Sequence, residues 1–274
     1  MTWEELLSIC IHTFLVGNSS YRLFMPYLRY RGDMMKNYNV SQFKDDLEAL
    51  CIHLNDKQID QFLTYYEMLS DRNRVMNLTA ISEYDDVLKK HFVDSVCLVK
   101  ACDLLGSLSL VDVGTGAGFP GLALKIAFPG LRVTLLDSLN KRIIFLNDVI
   151  RELGLKDVET IHGRAEDLAR PGKLREKYDL CVSRAVANLS TLSEYCLPFV
   201  KIGGMFVAYK SEKVFDEISD AGRSILILGG EIENQIEFTL PHSCIYRNLV
   251  VVKKKMQSPE QFPRKAGFPS RDPL

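Results

Sequence analysis

At 274 residues, 47% of them hydrophobic and 25% charged, the chain is long enough for one large domain plus a smaller one, and apolar enough to build a core without staples. A formal net charge of −1 removes any global electrostatic case for a nucleic-acid partner, so a basic surface has to be local. Seven cysteines and five histidines are scattered without C-x-x-C spacing, which argues against a disulfide framework or a zinc site and for reduced thiols in a cytoplasmic protein.

Residues 1–35 are the least regular part and read as an extension. Glu4 and Glu5 stand where a signal peptide carries its basic start, and no apolar run in the chain approaches the ~18 residues of a membrane span. Helical patterning begins just after Met34 and Met35, which points to one of these as the true start. Residues 36–105 read as a small helical domain. Phe43, Leu47 and Leu50 mark one apolar stripe; Ile59, Phe62, Leu63, Tyr66 and Leu69 mark a second, with Asn55 or Asp56 as its cap. The pattern breaks over 73–79 and resumes over 87–99. His91 and Asp94 lie about one turn apart there, either as a catalytic pair or as a packing detail.

From 106 to 255 strand and helix patterns alternate. Residues 108–113 have the length and β-branched content of a buried strand. A loop with Gly114, Gly116, Gly118 and Gly121 follows, then a helix (Leu122, Ile126, Phe128), then a second strand, 133–136, ending on Asp137. Glycines let the backbone approach a ligand, the helix start offers free N–H groups, and Asp137 stands where it can accept from two ribose hydroxyls. The spacing G-x-G-x-x-G alone would suit a dinucleotide. Asp112-x-Gly114-x-Gly116-x-Gly118 is more informative, since a strand carboxylate can reach the ammonium of an amino-acid-bearing nucleoside; that suits S-adenosylmethionine.

A helix over 141–153 leads to a third strand, 158–161, whose tip places Ala165 and Glu166 beside the nucleotide base. The fourth strand, 178–182, runs into Ser183 and Arg184. Ligands of open α/β sheets sit outside the carboxyl ends of the strands, so Arg184 is placed in the ligand crevice as a candidate positioning residue. A helix at 190–197, a turn at 201–204, a strand at 205–209, a helix at 214–224 and an antiparallel strand pair (232–240 and 246–253) complete an α/β fold with a mostly parallel sheet. The tail, 256–274, is basic. From Lys253 it carries Lys254, Lys255, Arg264, Lys265 and Arg271 against Glu260 and Asp272, and four prolines with Gly267 forbid a helix. Such an extended, poorly packing tail either holds a phosphate backbone or is solvated; Arg264 and Lys265 are its candidate RNA contacts.

The runs DVGTGAGFPG (112–121), LLDSLNKR (135–142) and GRAED (163–167), with SRA (183–185), NLTAI (77–81), KHFVDS (90–95) and PRKAGFPSRDPL (263–274), resemble the bacterial small-subunit ribosomal RNA methyltransferase G family, also called glucose-inhibited division protein B. The likeness runs from about residue 36 to the end. It implies a Rossmann-like class I S-adenosylmethionine-dependent methyltransferase that modifies N7 of a guanine in 16S ribosomal RNA, on the free RNA or on the small subunit; a monomer is the default expectation for a modifier that docks on a ribosomal surface. Cofactor contacts at Gly114, Phe119, Ala165, Glu166 and Arg184 come with the resemblance; Gly116, Gly118 and Asp137 are implied by the fold. The chemistry agrees. No Asn-Pro-Pro-Tyr run follows the fourth strand and no Pro-Cys nucleophile stands there, and guanine N7 needs neither because its in-plane lone pair carries no proton. Two other readings use the same half-fold: a non-catalytic RNA-binding or assembly factor, and an NAD-linked oxidoreductase. The glycine loop with Asp137 weighs against the first. The want of a second substrate domain with a catalytic His or Lys weighs against the second.

Overall fold

The structure, a computed structural model, describes residues 38–184, 187–211 and 214–274. The expected start at Met34 or Met35 lies outside them. The chain divides at Asn39, and Val40–Leu274 form one compact unit.

Apolar spacing sets the first helices. α1 (Ser41–Glu48) buries Phe43 and Leu47. α2 (Asp56–Met76) opens on a capping box: the Asn55 side chain accepts the Gln58 N–H while the Gln58 side chain accepts the Asn55 N–H. α3 begins as Tyr84–Val87, widens into a π-turn over Leu88–Val93 and ends as Asp94–Val96 with a 3₁₀ turn, Cys97–Lys100. Such π-turns gather at functional positions, and this one carries His91.

Seven strands follow: β1 (Ser109–Val113), β2 (Arg132–Asp137), β3 (Val158–His162), β4 (Tyr178–Arg184), β5 (Val200–Lys210), β6 (Gly230–Thr239) and β7 (Tyr246–Lys254). Their order is β3-β2-β1-β4-β5-β7-β6, parallel through β5, with β7 antiparallel to both of its neighbours. The expected turn at 201–204 belongs to β5, which pairs with β4 through a register shift between Tyr178 and Leu180. The linking helices are α4 (Gly121–Ala127), α5 (Asn140–Glu152), α6 (Ala165–Leu168), α7 (Leu189–Cys196) and α8 (Phe215–Ile227).

Side chains alternate along each strand and so sort into two cores. Leu110, Leu180, Val207 and Val251 face α1–α5; Val111, Val113, Cys181, Phe206 and Val252 face α7 and α8. The helices preceding β1 are therefore a layer on one face of the sheet. Their aromatics lead to the glycine turn. Phe62 lies 4.9 Å from Phe92, Phe92 5.4 Å from Tyr65, and Tyr65 5.3 Å from Phe119. Each fully buried aromatic contributes about 1.5–3 kcal/mol.

The tail corrects the sequence reading. Gly267, at φ +81°, opens a short helix, α9 (Phe268–Arg271), with Pro269 in its first turn, where a missing N–H costs nothing. Nor does the tail pack poorly. Phe262 and Pro269 are buried, and the Arg175 guanidinium donates to the carbonyls of Ser258, Pro259 and Phe262. Among the described residues no helix is long and apolar enough to cross a membrane.

Candidate active site

The sheet order reverses beside β1, where β2 leaves on one side and β4 on the other. Outside the carboxyl ends of these strands lies a cavity of about 740 Å³. Its floor is the turn after β1. Gly114 and Gly116 take φ values of +72° and +63°, a backbone region that favours glycine, and both line the cavity. The N–H groups of Gly114 and Thr115 converge on the Leu136 carbonyl at 2.9 and 3.1 Å. The Tyr65 hydroxyl donates to the Ala117 carbonyl at 2.5 Å, tying the turn to α2.

Asp112 supports the turn from beneath. Its Oδ2 accepts the Thr115 hydroxyl at 2.6 Å and the Gly121 N–H at 2.8 Å, while Oδ1 is buried without a partner. Burial raises its pKa to about 6, against the lowering pull of those two hydrogen bonds. Asp112 does not line the cavity, so the expected reach to a ligand ammonium gives way to a role in shaping the turn. Gly118 is likewise behind the wall. A Cβ there would collide with the Tyr65 hydroxyl and lie 2.7 Å from Leu122. A Cβ on Gly116 would meet nothing nearer than the Gly114 carbonyl at 4.0 Å, so that glycine leaves an open cradle. Asp137, at the tip of β2, accepts the Gly116 N–H at 2.9 Å and is joined by Arg142.

The facing wall comes from α3, β4, β5 and β7. Arg184 donates to Asp94 at 3.0 Å, to the Lys90 carbonyl at 3.3 Å and to His91 Nδ1 at 3.1 Å, and lies over the Phe119 ring at 5.2 Å. Arg247 Nε donates to the other Asp94 oxygen at 2.8 Å. With Nδ1 accepting from Arg184, His91 carries its proton on Nε2 and donates to the Thr79 hydroxyl at 2.9 Å. Its ring stacks on Phe119 at 4.4 Å. Burial, then the nearby Arg184 charge, lowers its pKa to about 3. His91 and Asp94 thus both reach the cavity, but as neighbours pinned by one arginine; Asp94 serves two guanidinium groups and no imidazole.

Of the residues singled out in the sequence, Gly114, Gly116, Phe119, Asp137 and Arg184 come together on the cavity wall. Ala165 and Glu166 do not. Both are buried, and the Glu166 carboxylate accepts the Gly267 N–H of the tail at 2.8 Å. They sit behind the β3 tip, where the Gly163 N–H reaches the Asp137 carbonyl at 3.0 Å and His162 the Ser138 carbonyl at 3.1 Å. Arg264 is not a free cation: its guanidinium grips fully buried Glu194 at 2.7–3.1 Å and donates to the Asp272 carbonyl at 2.8 Å. Lys265 is exposed, away from the cavity lining. Thr79, Arg142, Tyr209, Lys210 and Arg247 also line the cavity and were not foreseen. The rule that placed Arg184 would have found Lys210 at the end of β5. It would have found Arg247 too, since an antiparallel strand puts its beginning at that end.

These features fit S-adenosylmethionine. Gly114 and Gly116 admit close approach of a ligand to the backbone, and Asp137 offers a carboxylate at the ribose position. The family model described as GidB, rRNA small subunit methyltransferase G, matches residues 58–245. A protein of Lachnoclostridium phytofermentans named ribosomal RNA small subunit methyltransferase G is 49% identical over 234 residues, covering 85% of this chain and 97% of its own. One of the same name from Acetivibrio thermocellus is 50% identical over 225 residues, covering 81% and 91%. Among solved structures, a chain in the complex between the Haloferax volcanii Trm112 methyltransferase activator and the putative methyltransferase superposes with a TM-score of 0.51 at 13% identity, over 70% of this chain and 98% of that one. A glycine cradle at the switch point of a 3-2-1-4-5-7-6 sheet and relatives matched over most of their length lead to one conclusion: the chain belongs to the GidB family of small-subunit ribosomal RNA methyltransferases, enzymes that use S-adenosylmethionine.

Proposed function

We propose that this protein transfers a methyl group from S-adenosylmethionine to N7 of a guanine in 16S ribosomal RNA, with the cavity at the ends of β1, β2 and β4 as its active site. The observation that carries the choice of N7 is that the cavity is rich in donors and poor in bases. Among its described lining residues, His91 has both ring nitrogens engaged, Asp94 holds two arginines, and Glu217 holds Lys210 at 2.6 Å and the Leu189 N–H at 2.7 Å. An exocyclic amine sheds a proton on methylation and calls for an acceptor; guanine N7 sheds none.

Bound there, S-adenosylmethionine supplies an electrophilic methyl on a sulfonium. The protein's part is placement. Gly114 and Gly116 bring the backbone to the cofactor, Asp137 marks its ribose end, and Phe119, stacked on His91 with the Arg184 guanidinium over its ring, forms part of the cavity wall. Holding nucleophile and methyl in line supplies on the order of 7–11 kcal/mol of the barrier. Arg184 acts through position: its hydrogen bonds fix Asp94 and the neutral His91.

The test is methyl transfer from labelled S-adenosylmethionine to purified 16S RNA and to small subunits, both from cells lacking this gene, followed by nucleoside analysis. Label recovered as 7-methylguanosine is expected, and comparing the two substrates identifies the preferred one. Label on any other nucleoside overturns the N7 assignment.

A further inference from the structure

Asp137 is saturated with donors before any ligand arrives. Its carboxylate is 2% exposed; Oδ1 accepts the Leu139 N–H at 2.9 Å, Oδ2 accepts the Gly116 N–H at 2.9 Å, and Arg142 Nη1 reaches the two oxygens at 3.4 and 3.1 Å. A carboxylate oxygen has two in-plane lone pairs, so each already has its complement. Gly116 and Leu139 donate from backbone fixed by the glycine turn and the start of α5. Arg142 is a side chain on the first turn of α5, 32% exposed, and is the donor that can move. A nucleoside diol seated on Asp137 therefore has to displace Arg142.

We propose that Arg142 is a phosphate-binding residue for the RNA, held back by Asp137 and released when the cofactor ribose takes its place. The proposal rests on the cofactor and substrate reading above. Displaced, the guanidinium loses its counter-ion at the cavity wall, one residue from Lys141, whose Nζ donates to the Met76 carbonyl at 3.3 Å. Among the described residues, the other cations lining the cavity keep partners that no ribose competes for: Arg184 and Arg247 on Asp94, Lys210 on Glu217, Lys90 on Asp86. A guanidinium matches phosphate in a planar, bidentate way. Cofactor binding thus adds one unpaired arginine to the surface that meets the RNA, and by linkage the RNA tightens the cofactor by the same factor. The loaded enzyme therefore holds RNA more tightly than the empty enzyme does.

The test measures the affinity of purified 16S RNA for the full chain over a range of salt, with and without saturating S-adenosylhomocysteine. This probe lacks the sulfonium, so its ammonium and carboxylate cancel and any added charge at the surface is the protein's. In the native protein it should strengthen RNA binding about tenfold, within the ~5–150-fold usual for coupled sites. It should also steepen the dependence of log K on log salt by about 0.7, the value for one phosphate on a single strand. In Arg142→Ala, S-adenosylhomocysteine should bind at least as tightly as in the native protein, and RNA affinity and salt slope should no longer respond to it; Arg142→Lys should keep most of the response. Unchanged RNA affinity and slope in the native protein overturn the proposal, as does coupling that survives in Arg142→Ala with a native melting profile. Calorimetry separates the deeper failures. No binding of S-adenosylhomocysteine to the native chain sinks the cofactor reading, and cofactor binding without RNA binding sinks the substrate reading, each taking the Arg142 proposal with it.

Discussion

Asp112→Asn turns the buried carboxylate under the glycine turn into a measurable quantity. Burial raises the Asp112 pKa from 3.8 to about 6, with the Thr115 and Gly121 hydrogen bonds pulling the other way. A folded-state pKa above the unfolded one means that the group's contribution to stability is complete below about pH 3.8 and is lost as pH rises through about 6. A shift of about two units corresponds to about 3 kcal/mol at 1.36 kcal/mol per unit. Asparagine keeps an oxygen for Thr115 and Gly121, carries no charge at any pH, and resembles the protonated carboxyl in shape. The stability of Asp112→Asn relative to the native protein should therefore increase by about 2–3 kcal/mol between pH 4 and pH 8, most of it between pH 4 and 6. Urea denaturation followed by far-ultraviolet circular dichroism at fixed ionic strength reads this directly. A difference independent of pH, or one moving against the variant as pH rises, would refute the placement of a costly charge beneath the turn.

Arg264→Ala should destabilise the fold by about 3–5 kcal/mol, because the Glu194 carboxylate, 1% exposed, loses its guanidinium. Denaturant midpoints check this, and an unchanged salt slope for RNA binding distinguishes it from loss of a phosphate contact. Gly118→Ala and Gly116→Ala should part company. The first, at φ +103° against the Tyr65 hydroxyl and Leu122, should lose most of its folded population. The second, facing open space, should cost about 1–2 kcal/mol of stability yet weaken S-adenosylhomocysteine binding disproportionately in calorimetry. Arg184→Ala should lower kcat/KM on the order of 10²-fold through misplacement. It should also raise the His91 pKa from about 3, since the Arg184 charge is one cause of its depression; histidine titration by NMR follows that rise.

Strand and turn chemistry made the sheet readable. β1, β2 and β4 carry largely apolar runs bounded by glycine or by a chemistry-bearing residue, whereas β3 is half polar, with Glu159 and Thr160 inside it, and the period-2 alternation of Leu110 and Val111 sorts into the two cores. The glycine turn and the β2 tip were legible because local spacing alone positions Gly114, Gly116 and Asp137. Contacts far apart in sequence were not. Nothing around Arg264 announces Glu194, seventy residues away, or that the Gly267 N–H closes on Glu166. Asp112 was misjudged for the same reason: its position on the strand is local, but its direction is set by Gly121 and by Thr115 curling back over it. The partnership of Arg184, Asp94, His91 and Arg247 needed α3, β4 and β7 to be placed in space first.

The pH dependence of a single methyl-transfer turnover, with protein and cofactor in excess over 16S RNA between pH 7 and pH 8.5, bears most directly on the central claim that this cavity transfers a methyl without a base. Asp112 has finished titrating by then, His91 is neutral throughout and the arginines stay charged, so the rate should be flat within about twofold. A rate rising tenfold per pH unit would mean that a proton must leave before the methyl transfers, and would contradict both the placement-only mechanism and N7 as the acceptor.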